Sequence, residues 1–478
     1  MQIVNHQKTK VVATVGPASS SYETLLELVK AGVNVFRLNF SHGEHSEHEQ
    51  VIHHIIRINE TYGLFVGIIA DLQGPKIRID EIEGGTMPLE KGDILYFQTK
   101  PCAGNKEGIQ INYTEFPKDV KAGERIVVDD AKVVLQVLET DGVERVKLEV
   151  LFGSELSSRK GVNLPDTAVT LPALTDKDVG DLEFILTQPV HWIALSFVRS
   201  FKEIRNLQER IAVAKHPAKV VAKIEKPEAI KRINKIIKQT DAIMIARGDL
   251  GVEVPMERLP SMQKMIINKC LQEGKPVIVA TQLMDSMVTN PSPTRAEILD
   301  VANAVLDGTD AVMLSAETAV GNHPVKVVEA MNRIVTEAEK NYELSKKRPK
   351  ASSKSPTYLS DVICYNAGKT AMDIGAVGIV GMTKSGYTGF KVASYRPKNC
   401  DVYIFSDETY TLCMLNLVWG VKGFYYDSFT STDETIVDVI KILKAAKAVQ
   451  KGDYVVNTGA MPLHQRYRTN FLKITLVE

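Results

Sequence analysis

Four ionisable residues recur at a spacing of two in nearby stretches of the chain: Lys223 and Glu225 in Ala222-Lys223-Ile224-Glu225, Arg247 and Asp249 in Ala246-Arg247-Gly248-Asp249. A spacing of two places both members of a pair on one face of an extended strand. Two carboxylates on adjacent strands suit a hard divalent cation that keeps several waters and also takes ligand oxygens, as Mg²⁺ does, with Mn²⁺ as a substitute. A lysine beside such a metal stabilises charge on a transferring phosphoryl group. Gly248 lets the backbone come close enough for its N–H to reach an anion. Similar polar ends follow other short apolar runs: Arg37-Leu38-Asn39-Phe40-Ser41-His42, Asp71, Thr281-Gln282 and Ser315-Ala316-Glu317. One isolated charge pair would read as a rim salt bridge of small consequence. Six polar run ends point to a built site.

The elements that must position these residues are short β-branched runs at 11–15, 33–40, 66–70, 191–197, 219–224, 241–246, 276–280 and 310–314. Each is apolar on both faces, as parallel strands covered by helices are. Ser20-x-x-Glu23 and Ser46-x-x-Glu49 read as capping boxes opening two intervening helices, Pro293 opens another and Gly308 closes it. Eight strands alternating with helices predict a closed (β/α)8 barrel made from residues 1–75 and 171–340, about the ~250 residues usual for that fold. Its chemistry belongs at the carboxyl ends of the strands, where the polar residues cluster. Residues 76–170 break the rhythm: Glu83-Gly84-Gly85, Lys91-Gly92-Asp93 and Asp141-Gly142 separate alternating strands. That predicts an inserted, β-barrel-like domain after the third strand. A polar connector at 345–356 leads to helix–strand alternation again, so 341–478 is predicted as a C-terminal α/β domain.

Bulk properties narrow the class. With 478 residues the chain exceeds one hydrophobic core and suggests three domains. It carries 58 basic and 58 acidic residues, and its longest basic cluster is Lys346-Lys347-Arg348 with Lys350. The electrostatic footprint of a nucleic-acid binder is therefore missing. No apolar run approaches a membrane span, and the stretch 1–10 has no apolar signal core. Five scattered cysteines without a CxxC pair read as free thiols in the cytoplasm. The histidines at 42, 45, 48, 53 and 54 sit around a capped helix start with no cysteine beside them, so a zinc site is not expected.

Along nearly its whole length the sequence resembles pyruvate kinase. The match is carried by Thr14-Val15-Gly16-Pro17-Ala18-Ser19, Arg37-Leu38-Asn39-Phe40-Ser41-His42-Gly43, Lys160-Gly161-Val162-Asn163-Leu164-Pro165, Ala222-Lys223-Ile224-Glu225, Ile245-Ala246-Arg247-Gly248-Asp249-Leu250-Gly251-Val252-Glu253, Ala280-Thr281-Gln282, Pro293-Thr294-Arg295-Ala296-Glu297 and Met313-Leu314-Ser315-Ala316-Glu317-Thr318. The resemblance implies transfer of phosphate from phosphoenolpyruvate to ADP in glycolysis. It assigns Glu225 and Asp249 to Mg²⁺. It gives the backbone at Gly248–Asp249 and the Thr281 hydroxyl to the substrate carboxylate, Arg37 to the phosphate and Lys223 to the phosphoryl group in flight. Thr281, Ser315 and Glu317 would deliver a proton through water to the enolate carbon. Asn39, His42, Arg78 and Lys160 match nucleotide-side positions, Lys160 on an insert that closes as a lid. Ser315 and Thr281 also suit helix capping, and Asn39 also suits a turn.

One departure is informative. Many relatives need K⁺, bound near the positions of Asn39, Ser41, Asp71 and the Leu72 carbonyl, and read Asp-Thr-Lys-Gly-Pro-Glu after the third strand. This chain reads Asp71-Leu72-Gln73-Gly74-Pro75-Lys76. It is similar to the K⁺-independent branch, with the Lys76 ammonium supplying the charge that K⁺ otherwise brings. The alternative is a solvated hinge residue.

In the C-terminal part, Thr383-Lys384-Ser385-Gly386-Tyr387-Thr388 follows a strand and opens a helix, an arrangement that suits an anion. It resembles the family's pocket for phosphorylated effectors; a plain helix cap is the alternative. The last loop, Asn457-Thr458-Gly459-Ala460-Met461-Pro462, lacks the glycine-rich pattern associated with fructose bisphosphate, so a sugar monophosphate, AMP or no effector is expected. The family also implies a homotetramer. Two other functions remain open. A Mg²⁺-dependent barrel aldolase or lyase acting on the enolate of a 2-oxo acid would need Glu225, Asp249 and an arginine, but not Lys160 or Arg78. A catalytically silent metabolite sensor would not need Lys223 and both carboxylates.

Overall fold

The computed structural model describes residues 7–340, 351–353, 355–428, 431–461 and 468–478. Parts of the expected connector (345–350 and 354), the basic cluster, residues 1–6 and Pro462 lie outside the described residues. Eight parallel strands close into a barrel: Lys10–Thr14, Val35–Asn39, Gly67–Asp71, Trp192–Leu195, Lys219–Ile224, Ala242–Ala246, Val277–Ala280 and Ala311–Leu314, each paired with its neighbours in chain order and the last with the first. All eight fall on the predicted runs: the first and third are shifted by one residue, the fifth coincides, and the others are trimmed at one or both ends.

The period of two divides each strand. Val11, Ala13, Phe36, Leu38, Ile68 and Ala70 pack with the surrounding helices. Val12, Val35, Ile69, Ala194, Val221, Met244, Ile278 and Met313 belong to a separate core that fills the barrel. The inward parity continues past the apolar layers into Thr14, Arg37, Asp71, Ser196, Lys223, Glu225 and Ser315. The polar mouth is thus the next layer of the same stack.

Three helix starts differ from expectation by one or two residues. The helix Tyr22–Ala31 is capped by Ser21, whose hydroxyl accepts the Thr24 N–H, and not by Ser20. Three serines in a row offer three registers, and burial of Leu25, Leu28 and Val29 selects one. The helix His45–Tyr62 is capped by Glu44 with Glu47, which places Ser46 inside the first turn. Thr294 with Glu297 caps Arg295–Asp307, so Pro293 lies one residue before the cap, while Gly308 closes the helix at φ +96°.

Between the third and fourth barrel strands lies a six-stranded sheet in the order Val162–Asn163, Arg125–Val128, Val133–Thr140, Arg145–Phe152, Ile94–Gln98 and Ile109–Gln110, with a two-stranded ribbon of Thr86–Pro88 and Glu155–Ser157. It has its own core, including Leu95, Phe97, Phe116, Leu135 and Leu148. The form is barrel-like, as expected: residues 78–79 bridge to Gly161 beside one edge strand and to Ile111 beside the other. The C-terminal sheet runs Val421–Tyr425, Asp401–Ser406, Gly378–Met382, Tyr454–Gly459 and Phe471–Leu476, the last strand antiparallel. No helix among the described residues is long and apolar enough to cross a membrane.

The C-terminal unit docks on the amino ends of the barrel strands. The Trp192 indole donates to the Met414 carbonyl (3.1 Å), and Asn416 donates to the carbonyls of Asn34 and Phe65. Arg396 forms a buried ion pair with Asp310 (2.9 Å) and donates to the Gly308 carbonyl. Asp310 also accepts the Val277 and Trp419 N–H groups. This docking leaves the carboxyl ends free for chemistry. Replacing Arg396 by Ala strands the buried Asp310 charge, and such losses cost about 3–5 kcal/mol. Scanning calorimetry of Arg396→Ala should show a lower unfolding midpoint; an unchanged midpoint would remove the pair from the docking account.

Candidate active site

Closing the barrel brings the ends of its third, fourth and fifth strands side by side, and one ammonium fills the space between them. Lys223 Nζ lies 3.3 Å from Asp71 Oδ1, 3.2 Å from Glu225 Oε1 and donates to Ser196 Oγ at 2.7 Å. Asp71 is wholly buried and Glu225 is 1% exposed. The other Asp71 oxygen accepts from Arg37 Nε at 2.6 Å, and Arg37 also donates to Thr14 Oγ1 at 3.1 Å. The Ser196 hydroxyl in turn donates a hydrogen bond to the Leu72 carbonyl at 2.7 Å. The second Glu225 oxygen accepts the Phe197 N–H at 2.6 Å. Phe197 sits at φ +52°, a costly conformation for a non-glycine residue, and it is this turn that aims its N–H inward.

Electrostatics follow from this packing. Burial penalises the Asp71 carboxylate, but Lys223 and Arg37 outweigh it and its pKa lies below the ordinary value. Burial likewise opposes the Lys223 charge, but Asp71 and Glu225 outweigh it and its pKa is raised. Burial pushes the Glu225 carboxyl up; Lys223 offsets this only in part, and Asp249 adds to the rise. Glu225 is therefore short of positive charge in its surroundings.

Asp249 stands on the first turn of the helix Arg247–Glu253, directly after the sixth strand. Its Oδ1 lies 3.3 Å from Lys76 Nζ. The Lys76 side chain runs across Gly161 of the insert, where an added Cβ would stand 3.2 Å from Lys76 Cε. Gly248 donates its N–H to Thr281 Oγ1 at 2.7 Å, and Thr281 donates to the Ala280 carbonyl at 2.6 Å. Thr281 and Gln282 both have positive φ, +69° and +53°. The Arg247 guanidinium holds that turn by donating to the carbonyls of Thr281 (2.7 Å) and Gln282 (3.2 Å), and its other arm pairs with Asp300. At the eighth strand, Glu317 accepts the N–H groups of Ser315 (2.6 Å) and Met284 (3.2 Å), and burial raises its pKa. Ser315 Oγ is buried and makes no hydrogen bond. That hydroxyl does not cap its helix.

The remaining predicted residues fall into three groups. Asn39 Oδ1 accepts the Ser41 N–H at 3.3 Å, a local turn contact of the kind weighed from sequence. His42 has its pKa lowered by burial and by Arg78, Arg37 and Lys76, so these residues form one cationic side of the mouth. Arg78 donates to the Arg159 carbonyl, and Lys160 pairs with Asp129 at 3.2 Å inside the insert rather than with the barrel. In the C-terminal unit, Thr383 Oγ1 accepts the Gly386 N–H, Lys384 pairs with Asp407 at 2.8 Å, Ser385 is exposed, and the Thr388 hydroxyl meets that of Thr469. Gly386, at φ +81°, caps the helix Tyr387–Ser394. Sequence reasoning missed Thr14, Ser196 and the clamp role of Arg247.

The residues fit a divalent metal between Glu225 and Asp249. Glu225 directly follows the fifth strand, while Asp249 sits in the first turn of the helix after the sixth, not on an extended strand as its spacing from Arg247 suggested. Each carboxylate has an ammonium within 3.3 Å, Lys223 for Glu225 and Lys76 for Asp249, and burial with Asp249 nearby keeps the Glu225 pKa raised. Among the described residues no cluster of three or more His, Cys, Asp or Glu side chains is arranged to hold a metal, so a metal here would draw its other ligands from substrate and water.

Asp71's depressed pKa makes a stability contribution that is present above the ordinary carboxylate value of ~4 and lost as pH falls through its lower folded value. Asp71→Asn should therefore lower the unfolding midpoint clearly at pH 7 and less at pH 3. An equal loss at both values would contradict the ionised form.

Two family models match the chain: the pyruvate kinase barrel domain over residues 6–328 and the pyruvate kinase alpha/beta domain over residues 361–475. A pyruvate kinase from Geobacillus stearothermophilus is 40% identical over 475 residues, which cover 98% of this chain and 80% of that protein. Pyruvate kinase 2 from Synechocystis sp. is also 40% identical, with 99% and 80% covered. The crystal structure of a pyruvate kinase from Cryptosporidium parvum superimposes with a TM-score of 0.90 at 32% identity, covering 99% of this chain and 96% of that one.

Proposed function

The chain belongs to the pyruvate kinase family, and from that premise we propose how its barrel mouth moves the phosphoryl group of phosphoenolpyruvate to ADP and why it does so without K⁺. The observation that carries the proposal is the Lys223 ammonium, fixed between Asp71 and Glu225 and facing Asp249. Three carboxylates (Asp71, Glu225, Asp249) here face three cations (Arg37, Lys223, Lys76). A divalent metal bound by Glu225 and Asp249 tips this balance positive, which suits a substrate carrying both phosphate and carboxylate. When bound, Mg²⁺, or Mn²⁺ in its place, would supply Lewis-acid charge to those oxygens.

Arg37 grips the substrate phosphate with the guanidinium nitrogen that Asp71 leaves free. The substrate carboxylate takes the Gly248 N–H in place of Thr281 Oγ1, and Thr281 donates to it instead of to the Ala280 carbonyl. The P–O bond to the enol oxygen breaks as a bond forms from phosphorus to a terminal oxygen of ADP. Lys223 stabilises charge on the phosphoryl group throughout. The enolate left behind takes a proton at its methylene carbon from water held by Thr281, Ser315 and Glu317. The unpartnered Ser315 hydroxyl and the raised pKa of Glu317 support that assignment. Asn39, His42, Arg78 and Lys160 serve the nucleotide side, and the insert of residues 76–170 acts as a lid over the barrel of residues 1–75 and 171–340. Lys160, paired within the insert, reaches the nucleotide when the lid closes.

Lys76 accounts for the monovalent cation. With glutamate at this position the mouth would hold four carboxylates and two cations, a deficit that K⁺ would relieve. The ammonium stands beside Asp249 rather than in the Asn39–Ser41–Asp71–Leu72 region, so it replaces the charge of K⁺ and not its coordination. The C-terminal unit of residues 341–478 binds a phosphorylated metabolite at Thr383, Lys384, Ser385, Gly386 and Thr388. The exposed Ile298 and Leu299 on one helix, and Ile474 and Leu476 on the terminal strand of the C-terminal sheet, support assembly as a homotetramer. Free, mostly buried cysteines support a cytoplasmic setting.

In a coupled assay of ADP-dependent pyruvate formation, activity in K⁺- and Na⁺-free buffer should match that with K⁺, and Lys76→Glu should become K⁺-dependent; large K⁺ activation of the unaltered protein would sink the proposal. Titration of Mn²⁺ by electron paramagnetic resonance should show Glu225→Gln and Asp249→Asn each binding the ion at least about tenfold more weakly, the size expected for losing one charged ligand.

A further inference from the structure

The helix that carries Asp249 ends at Glu253, a buried residue. Its Oε1 accepts two bonds, from Lys226 Nζ at 2.5 Å and from Asn163 Nδ2 at 2.7 Å. Its Oε2 is buried and makes none. Lys226 directly follows Glu225. Asn163 lies in the strand Val162–Asn163, which pairs with Arg125–Val128 inside the insert. Two residues earlier, the Gly161 backbone pairs with Arg78. One carboxylate therefore ties together the loop after the fifth strand, the helix after the sixth and the return strand of the insert. Its two partners, Asn163 and Lys226, line a small cavity of about 20 Å³ together with Pro75 and Lys76, where the chain leaves the barrel for the insert. A buried ion pair with one bare oxygen is a poor way to gain stability alone, since an apolar contact of the same shape does as well. It is a good way to fix one orientation of two bodies, because the bonds exist in one geometry only.

We propose that Glu253 is the latch that sets the position of the insert over the barrel mouth. It is a positioning residue: it touches no substrate, but a shift at Asn163 is carried back along the chain to Lys160, three residues earlier, and across the Gly161 pairing to Arg78. Its effect should therefore fall on the nucleotide and spare phosphoenolpyruvate, whose Arg37 and Lys223 contacts belong to the barrel. The proposal rests on the insert carrying the nucleotide-side residues.

The test is steady-state kinetics of the full-length protein with ADP and phosphoenolpyruvate varied separately. Glu253→Gln should raise the KM for ADP about tenfold, as for loss of one charge-assisted bond, and change the KM for phosphoenolpyruvate by less than about twofold. Glu253→Asp, which keeps the charge, should recover part of the loss. Asn163→Ala removes only the insert-side donor and should shift the KM for ADP in the same direction; it decides the matter if Glu253→Gln fails to fold. Arg78→Ala separates the two levels. If it raises the KM for ADP while Glu253→Gln and Asn163→Ala leave it unchanged, the latch is overturned and the lid assignment stands. If Arg78→Ala has no effect, the lid assignment fails and the latch with it. Equal rises in both KM values, together with a lower unfolding midpoint, would reduce Glu253 to a structural residue and also overturn the proposal.

Discussion

The mouth of this barrel depends on one buried charge, the Lys223 ammonium between Asp71 and Glu225. Two carboxylates buried this deeply repel each other and lose their hydration; without a shared cation at least one would be protonated. With it, the network is continuous around the rim: Thr14 supports Arg37, Arg37 and Lys223 share Asp71, and Lys223 reaches Glu225, whose far oxygen is held by the Phe197 N–H. Every link but Lys223–Glu225, which lie at the end of one strand, joins neighbouring or next-neighbouring strands. The barrel must close in this register for those links to form, so the fold and the charge arrangement depend on each other.

Backbone strain serves the same arrangement. Phe197, Thr281 and Gln282 hold positive φ although none is glycine. Each such turn costs of order 1–3 kcal/mol and persists only where the surroundings over-determine it. At Phe197 the return is an N–H aimed at a carboxylate. At Thr281 it is a hydroxyl set against the Gly248 N–H, with Arg247 gripping both strained carbonyls. Gly74 solves the neighbouring problem differently: at φ +70° an added Cβ would stand 2.8 Å from the Ser196 side chain, so only glycine lets the chain leave the third strand past the fourth.

How legible was this in the sequence? The eight strands were, because parallel strands covered on both sides are uniformly apolar and the charges stop them abruptly. The site residues were legible for the same reason: Lys223 with Glu225, and Arg37 with Asn39, sit at a spacing that only an inward-facing pair explains. Ser196 and Thr14 were not, since a lone hydroxyl ending an apolar run carries no signal until the neighbouring strand is in place. The clamp by Arg247 was hidden because its partners are carbonyls, which every residue has. Asn163 and Glu253 are 90 residues apart, and nothing local marks them as partners. Val421–Tyr425 escaped notice because Gly423 interrupts it, and Phe471–Leu476 because it is a half-exposed edge.

Lys76 connects the barrel mouth to the insert. It lies on the segment that leaves the third barrel strand for the insert, and its side chain passes over Gly161 on the way to Asp249. One of the three cations that balance the mouth is therefore borne by the hinge and not by the barrel. The other two, Arg37 and Lys223, are fixed by strands and do not depend on where the insert sits. Moving the insert away would withdraw Lys76 from Asp249 and leave a net negative mouth, which disfavours an anionic substrate and favours a metal. With a divalent metal in place, bringing it back would make the mouth net positive, which suits an anionic substrate. A lysine on the segment that leads into the insert therefore ties the charge balance of the mouth to a contact that the insert shares.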